Sequence, residues 1–146
     1  EAKQIIDSYF EQYGTIKAYM DDAVKKAREN GYVETIMMRR RYLKDINSAN
    51  AVVRGFAERN AVNAPIQGSA ADIIKLAMIR VADAMKAKEV KSKMLLQVHD
   101  ELVFDVHLDE VDLMKELVKT EMEAAVEMIV PMVVEMEIAD NWLDAH

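Results

Sequence analysis

Two short apolar runs with a polar break between them constrain the fold of this chain most strongly. The runs are Met94–Val98 and Leu102–Val106, and His99, Asp100 and Glu101 separate them. Runs of this length, rich in Val, Leu and Phe, predict a buried antiparallel hairpin whose tight bend carries the polar residues. Adjacent carboxylates at the rim of a hydrophobic sheet would be destabilising if they lost water without gaining partners. A cationic partner or a metal ion would remove that cost, and Mg²⁺ suits carboxylate oxygens better than zinc does. A plain solvated turn is the simpler interpretation of such a bend.

Length and composition indicate a single domain with one core. The chain has 146 residues, of which 51% are hydrophobic and 31% charged, an ordinary balance for a globular protein. The absence of cysteine excludes disulfides and thiolate metal sites, and the sequence has neither a signal-peptide layout nor an apolar run long enough to span a bilayer. We therefore expect a reducing, cytoplasmic setting and no membrane partner. The chain starts at Glu1 within an amphipathic pattern, which predicts a fragment of a longer protein.

Charge is distributed unevenly along the chain. The net charge is -7, which taken as an average argues against nucleic-acid binding. Residues 25–54, however, contain eight basic and three acidic side chains, whereas residues 100–146 contain two basic and fourteen acidic ones. A polyanion is expected to meet the basic middle of the chain.

The periodicity of apolar residues predicts an α+β fold, with helices packed on a small antiparallel sheet. Residues 1–30 have helical spacing with bends at Gly14 and after Tyr19, and Gly31 suits a C-terminal cap. The other predicted elements are a ribbon of Tyr32–Met37 and Arg40–Leu43, a helix from Ser48 to about Val62, a helix from Pro65 to about Lys88, the hairpin, a helix capped by Asp109 and running to about Ile129, and a strand over Val133–Ile138.

A row of polar residues precedes and follows the first proline. Arg59, Asn63 and Gln67 are four residues apart and would share one face of a continuous helix, although Pro65 could interrupt it. Such side chains can bind phosphates and the hydrogen-bond acceptors of a DNA minor groove. The simpler interpretation is a solvated helix face with no binding role. Gly68 would permit a close approach of another backbone.

Two segments of the chain are informative when taken together, Glu58–Asp72 and Gln97–Val103. They resemble the C-terminal palm and fingers region of the family A DNA polymerases, the bacterial DNA polymerase I type. Further similar segments follow the expected order, so that the resemblance covers essentially the whole chain: Tyr32–Thr35, Arg39–Leu43, Asp45–Ile46 and Asn141–His146. The resemblance implies one fragment in which residues 1–47 form a fingers-side helix and basic ribbon and residues 48–146 belong to the palm.

The resemblance also implies a catalytic role for the polar bend. By similarity, Asp100 is a metal ligand that helps to hold the two catalytic magnesium ions, Glu101 supports the catalytic site, and His99 lies near the primer end. The implied activity is addition of deoxynucleotides to a primer 3' end on a template by two-metal phosphoryl transfer.

The same resemblance implies primer-template DNA and deoxynucleoside triphosphates as partners. Arg59, Asn63 and Gln67 match family positions that bind the duplex, Gln67 through the minor groove, and His99 joins them as a DNA-binding residue. The family motifs that supply the other metal-binding aspartate and the nucleotide-binding helix are absent from these 146 residues. No nucleotide-binding residue is therefore assigned, and we expect the isolated chain to be inactive.

Three residues depart from the family pattern. Met38 stands where a glycine usually precedes the arginines, Lys44 where proline is common, and Ala139 where glycine often precedes the closing segment. These departures leave the ribbon turn and the role of Arg39–Arg41 open.

Two other functions fit parts of the sequence. One is a stand-alone module that binds duplex DNA without catalysis. The other is a metal-dependent phosphohydrolase using His99 and Asp100, which would need further ligands, and only His107 and His146 remain as histidines. An incomplete palm sheet would expose strand edges and apolar surface, so the fragment could form a dimer.

Overall fold

The computed structural model describes residues 2–145 and confirms the α+β class. The elements in chain order are α1 (Ala2–Gln12), α2 (Gly14–Asn30), β1 (Tyr32–Glu34), β2 (Arg40–Tyr42), α3 (Ala51–Ala87), β3 (Lys93–Val98), β4 (Glu101–Asp105), a 3-10 turn (Leu108–Glu110) and α4 (Val111–Glu123). The strands form two antiparallel pairs, β1–β2 and β3–β4. Among residues 2–145, no helix is both long enough and apolar enough to cross a membrane.

The first of two compact units covers residues 1–69. Helix α2, the β1–β2 ribbon and the first half of α3 surround its core, whose buried members are Ala27, Val33, Leu43, Ile46, Ala57, Ala61 and Ala64. Gly31 caps α2 as predicted, since its φ of 78° is left-handed and its N–H donates to the Ala27 carbonyl at 2.8 Å. The functional division at residue 47 is a separate prediction, which the compactness of this unit does not test.

The N-terminal helical stretch is broken once. The break lies at Tyr13, between α1 and α2, as the predicted bend at Gly14 requires, whereas α2 runs on past Tyr19 without the second bend. No described side chain of α1 is buried, and Ile5 is 67% exposed. Most of the apolar stripe of α1 is therefore exposed to water, although the centroid of the Tyr9 ring lies 4.9 Å from that of the Tyr13 ring.

Helix α3 is continuous, which corrects the prediction of two helices meeting at Pro65. The proline lies inside this 37-residue helix, where it removes one backbone hydrogen bond. Ala61 and Ala64, in the helical turn before the proline, are both buried in the core of the first unit, and this packing outweighs the local tendency of proline to break the helix. The helix is also capped by Asn50 and not by Ser48, because the Asn50 Oδ1 atom accepts from the N–H of Val52 at 2.9 Å.

The second compact unit covers residues 70–146 and has its own core. The end of α3 and one face of α4 supply the buried members, which are Val81, Met85, Met114, Leu117 and Val118. The Arg80 Nε atom and the Glu121 Oε2 atom, 3.0 Å apart, join the two helices at the surface. The β3–β4 hairpin packs on this core through Met94 and Phe104.

The hairpin is less buried than its sequence predicts. Leu95 and Leu96 are 56% and 43% exposed, and the register shifts between Met94 and Leu96 at a bulge. The prediction of a buried hairpin is wrong for this chain because α3 and α4 cover only one of its faces.

The last predicted helix is shorter at both ends. Helix α4 starts at Val111 and ends at Glu123, well before Ile129. The side chain of its N-cap residue, Glu110, accepts no hydrogen bond from the first turn of the helix. Asp109 is therefore not its cap. Instead, the Asp109 N–H donates to the Nδ1 atom of His107, which caps the preceding 3-10 turn.

The strand predicted over Val133–Ile138 is absent. This segment forms no ladder with another described strand. The Val134 N–H donates to the Glu123 Oε1 atom at 3.2 Å, and Met136 packs on the core of the second unit. Alternation of apolar residues indicates which side chains face a core, but a strand also needs a neighbour for its backbone.

Candidate functional site

His99 and Asp100 form the two-residue loop of the hairpin, whereas the sequence predicts a bend that also includes Glu101. Val98 and Glu101 pair across the ends of the strands, so Glu101 is the first residue of β4 and lies outside the loop. His99 has a φ of 52°, and a two-residue hairpin requires a positive φ at its first loop position. The Gln97 side-chain amide donates to the His99 carbonyl oxygen and braces the loop.

The loop presents its acidic side chain to water. Asp100 and His99 are exposed, and Glu101 is half-buried. The desolvation cost expected from the sequence therefore does not arise for Asp100 in this chain. An exposed carboxylate is free to meet a hard cation without first losing a buried partner.

The loop fits part of a magnesium shell and no more. Within residues 2–145, no group of three or more His, Cys, Asp or Glu side chains is placed to hold a metal ion. Mg²⁺ is commonly held by one or two protein carboxylates, with waters and substrate phosphates completing the shell. Asp100 with Glu101 fits that donor set, whereas the phosphohydrolase reading lacks its further ligands there, and His146 lies outside the described residues.

The three polar residues of α3 share one exposed row. Arg59, Asn63 and Gln67 are all exposed, and because α3 continues through Pro65 their spacing of four places them one above the other. The Arg59 guanidinium lies 5.9 Å from the centroid of the Phe56 ring. The row thus offers a cation and two side-chain amides along one line.

Gln67 also borders a small polar cavity between the ribbon and α3. The cavity has a volume of about 80 Å³. Its other walls include Glu34 and the three consecutive arginines, Arg39–Arg41. One end of the polar row therefore adjoins the most basic part of the ribbon.

The ribbon turn is fastened to α3 at the position next to Gln67. The Arg39 Nη2 atom donates to the Gly68 carbonyl oxygen at 3.1 Å. The Ile36 N–H donates to the Ser69 Oγ atom at 2.9 Å, and a Cβ atom added to Gly68 would lie 2.6 Å from the Thr35 Cγ2 atom. The close approach that the glycine permits is thus to the ribbon of the same chain.

The other two arginines of the ribbon also have partners within the chain. The Arg40 Nε atom donates to the Glu34 Oε1 atom at 2.9 Å, and this hydrogen bond is the main reason that the pKa of Arg40 is raised. The Arg40 guanidinium lies 4.5 Å from the centroid of the Tyr32 ring. The Arg41 Nη2 atom donates to the Asn60 Oδ1 atom at 3.3 Å. These contacts fix the ribbon against α3 while both arginine side chains stay exposed.

Glu110, a carboxylate for which the sequence predicted no role, lies at the base of the hairpin. Glu110 accepts hydrogen bonds from the Lys91 N–H at 2.8 Å, the Ser92 N–H at 2.9 Å and the Ser92 hydroxyl at 2.6 Å. These donors, led by the Lys91 N–H, lower the pKa of Glu110 to about 2. An acidic residue just before an amphipathic helix was the available signal, although its donors are eighteen residues or more away in sequence.

Comparison with known proteins gives matches over nearly the whole chain. The family model described as DNA polymerase family A matches residues 1–144. DNA polymerase I of Lactococcus lactis subsp. lactis is 53% identical over 145 residues, which are 99% of this chain and 16% of that protein. DNA polymerase I of Caldicellulosiruptor bescii is 54% identical over 144 residues, or 99% of this chain and 17% of that protein. The chain thus spans about a sixth of the length of these relatives.

A solved structure agrees with the sequence matches. The POL domain of Pol1 from M. smegmatis, in complex with DNA primer-template and dNTP, superposes with a TM-score of 0.88 at 49% identity, covering 90% of this chain and 23% of that one. Both the fold and the sequence match, and the family model spans well over half of the chain. The chain therefore belongs to DNA polymerase family A.

Proposed function

We propose that this chain is the C-terminal part of a DNA-directed DNA polymerase that adds deoxynucleotides to the 3' end of a primer. The observation that carries this proposal is the family match over residues 1–144, which includes both the hairpin loop and the polar row of α3. The M. smegmatis relative, described as a complex with DNA primer-template and dNTP, supports the proposed partners. The proposed setting is the cytoplasm of a bacterium.

Asp100 is the proposed ligand of the catalytic metal, with Glu101 supporting it. Two Mg²⁺ ions, when bound, would stabilise charge on the transferred phosphoryl group and favour deprotonation of the primer hydroxyl. The exposed position of Asp100 in the loop supports this role, because its carboxylate can reach an ion that DNA and nucleotide also contact. His99, at the other loop position, is proposed to lie near the primer end.

The polar row of α3 is the proposed grip on the primer-template duplex. Arg59 suits a phosphate oxygen, while the amides of Asn63 and Gln67 can donate to minor-groove acceptors. Because those acceptors are nearly the same for every base pair, such a grip tolerates any sequence, as a polymerase requires. The exposure of all three side chains supports this assignment.

The residues divide into proposed functional parts that differ from the compact units. Residues 1–47 are the proposed fingers-side helix and basic ribbon, and residues 48–146 the proposed palm segment. We also propose that the 146 residues alone do not extend primers, since the loop offers only part of a metal shell.

A hybrid enzyme tests the proposal. Residues 1–146 replace the matching segment of Lactococcus lactis DNA polymerase I, which is 53% identical, and primer extension is measured with Mg²⁺ and all four nucleotides. The expected result is extension by the hybrid and none by the isolated chain. Unmodified L. lactis polymerase serves as the positive control. A folded hybrid that binds the duplex but never extends it would contradict the proposal and favour the DNA-binding module.

A further inference from the structure

At the base of the β3–β4 hairpin, the residues that precede β3 and follow β4 contact each other. Lys93 and Asp105 form the last pair at its base. Ser92 immediately precedes β3, and the His107 N–H, two residues after β4, donates to the Ser92 Oγ atom at 3.0 Å. Ser92 is only 5% exposed. The base of the hairpin is therefore closed by a buried hydroxyl, while the opposite end carries Asp100.

One carboxylate holds this closed base against the start of α4. Glu110 accepts from the N–H groups of Lys91 and Ser92 and from the Ser92 hydroxyl, so three donors from one side of the hairpin meet its two oxygens. The hydroxyl that donates to Glu110 also accepts from His107, on the other side of the hairpin. Both strands are thus linked to Glu110 directly or through one atom.

The helix that follows Glu110 is a firm support. Met114, Leu117 and Val118 of α4 are all buried in the second core. The hairpin packs on this core through Met94 and Phe104 but exposes Leu95 and Leu96, and a two-stranded hairpin depends on contacts outside itself for its stability. The link from the hairpin base to α4 is therefore one of the contacts that can fix the direction in which the loop points.

We infer that Glu110 is a positioning residue for the loop that carries Asp100. It sets the angle of the hairpin relative to α4 through Ser92 and thereby the place of the Asp100 carboxylate. The catalytic consequence rests on the proposed function, whereas the structural link does not. Glu110 has no proposed contact with substrate or metal.

Hydrogen exchange of the backbone amides tests the structural link in the chain itself. Glu110→Ala is expected to raise exchange rates in β3 and β4 by about tenfold or more relative to those at the end of α3. Glu110→Gln keeps an acceptor oxygen and should raise them less, and Glu116→Ala, an exposed site on α4, should leave them unchanged. Ser92→Ala, which retains the carboxylate, replaces Glu110→Ala if the latter does not fold. Unchanged exchange rates of the β3 and β4 amides in a folded variant would overturn the inference.

Steady-state kinetics of the hybrid enzyme test the catalytic consequence. Glu110→Ala should lower kcat by about tenfold, because displacement of the Asp100 carboxylate by a fraction of an ångström would misplace the metal ion relative to the reacting groups, while KM for primer-template is unchanged. Glu110→Gln should recover part of kcat. A normal kcat in Glu110→Ala, beside an inactive Asp100→Ala, would overturn the positioning role alone. An active Asp100→Ala would instead refute the proposed site, and the exchange rates would still decide whether Glu110 holds the hairpin.

Discussion

Gly68 of α3 and Thr35 of the ribbon lie so close that no side chain fits between them. A Cβ atom on Gly68 would be 2.6 Å from the Thr35 Cγ2 atom. Thr35 cannot easily move away, because its hydroxyl oxygen accepts from the N–H groups of Met37 and Arg39 at 3.2 Å each. The ribbon turn and the helix that carries Gln67 are therefore held in contact at this glycine.

Substitution of this glycine should destabilise the chain. Gly68→Ala is expected to lower the free energy of unfolding by about 1–3 kcal/mol, since the added methyl would clash with Thr35 and push the ribbon away from α3. Urea denaturation followed by circular dichroism measures the change. Gly55→Ala is the matched control in the same helix, where the nearest atom to an added Cβ is 3.8 Å away. It should be neutral or stabilising by up to about 1 kcal/mol, and equal effects at both sites would contradict the steric explanation.

The ribbon turn contains a residue whose backbone favours glycine. Met38 has a φ of 60° and a side chain that is 73% exposed, so glycine would relieve strain at little loss of burial. Met38→Gly should raise the free energy of unfolding by up to about 1 kcal/mol. Met37→Gly, at the neighbouring position with an ordinary φ, should lower it. Thermal unfolding of both variants checks the signs, and a destabilised Met38→Gly would show that the strain is not released.

Acid should weaken the hydrogen bonds that Glu110 accepts. Its pKa is lowered from 4.5 to about 2 by donors that favour the charged carboxylate. The resulting stability is fully present above pH 4.5 and is lost as the pH falls toward 2. The stability difference between the wild type and Glu110→Gln should therefore shrink over that range in denaturation curves at stepped pH. Glu116→Gln controls for the loss of one negative charge on α4, and a difference that stays constant from pH 6 to about pH 2 would contradict the assignment.

Loss of one side chain from the polar row should weaken DNA binding. Gln67→Ala is expected to raise the Kd of the hybrid enzyme for primer-template by about five- to tenfold, as one hydrogen bond near 1 kcal/mol is lost. Fluorescence anisotropy with a labelled duplex measures this. Gln4→Ala, an exposed glutamine on α1, should bind normally. Equal affinity of the two variants for primer-template would contradict the proposed role of Gln67 in duplex binding.

The elements that local patterns determine could be predicted from the sequence. The loop at His99 and Asp100 follows from two short apolar runs around a polar break, and the end of α2 follows from a glycine able to adopt a left-handed conformation at Gly31. The polar row needed no knowledge of packing either, because a spacing of four residues places side chains on one helical face.

Features that depend on distant partners could not be predicted. Proline locally disfavours a continuous helix. Helix α3 nevertheless continues through Pro65 because Ala61 and Ala64 pack in the core of the first unit. The contacts of Glu110 join residues far apart in sequence. Residues 133–138 show that a local pattern alone is not sufficient. Their apolar residues alternate as in a strand, but no neighbouring strand pairs with them and they do not form one.

The role of Asp100 is tested most directly by primer extension with the hybrid enzyme. Asp100→Ala should reduce kcat by more than about a hundredfold, because a metal ligand is lost, with little change in the Kd for primer-template. Asp105→Ala, an exposed aspartate at the far end of β4, should extend primers at close to the normal rate. Near-normal extension by Asp100→Ala would contradict the assignment of this loop to the catalytic site.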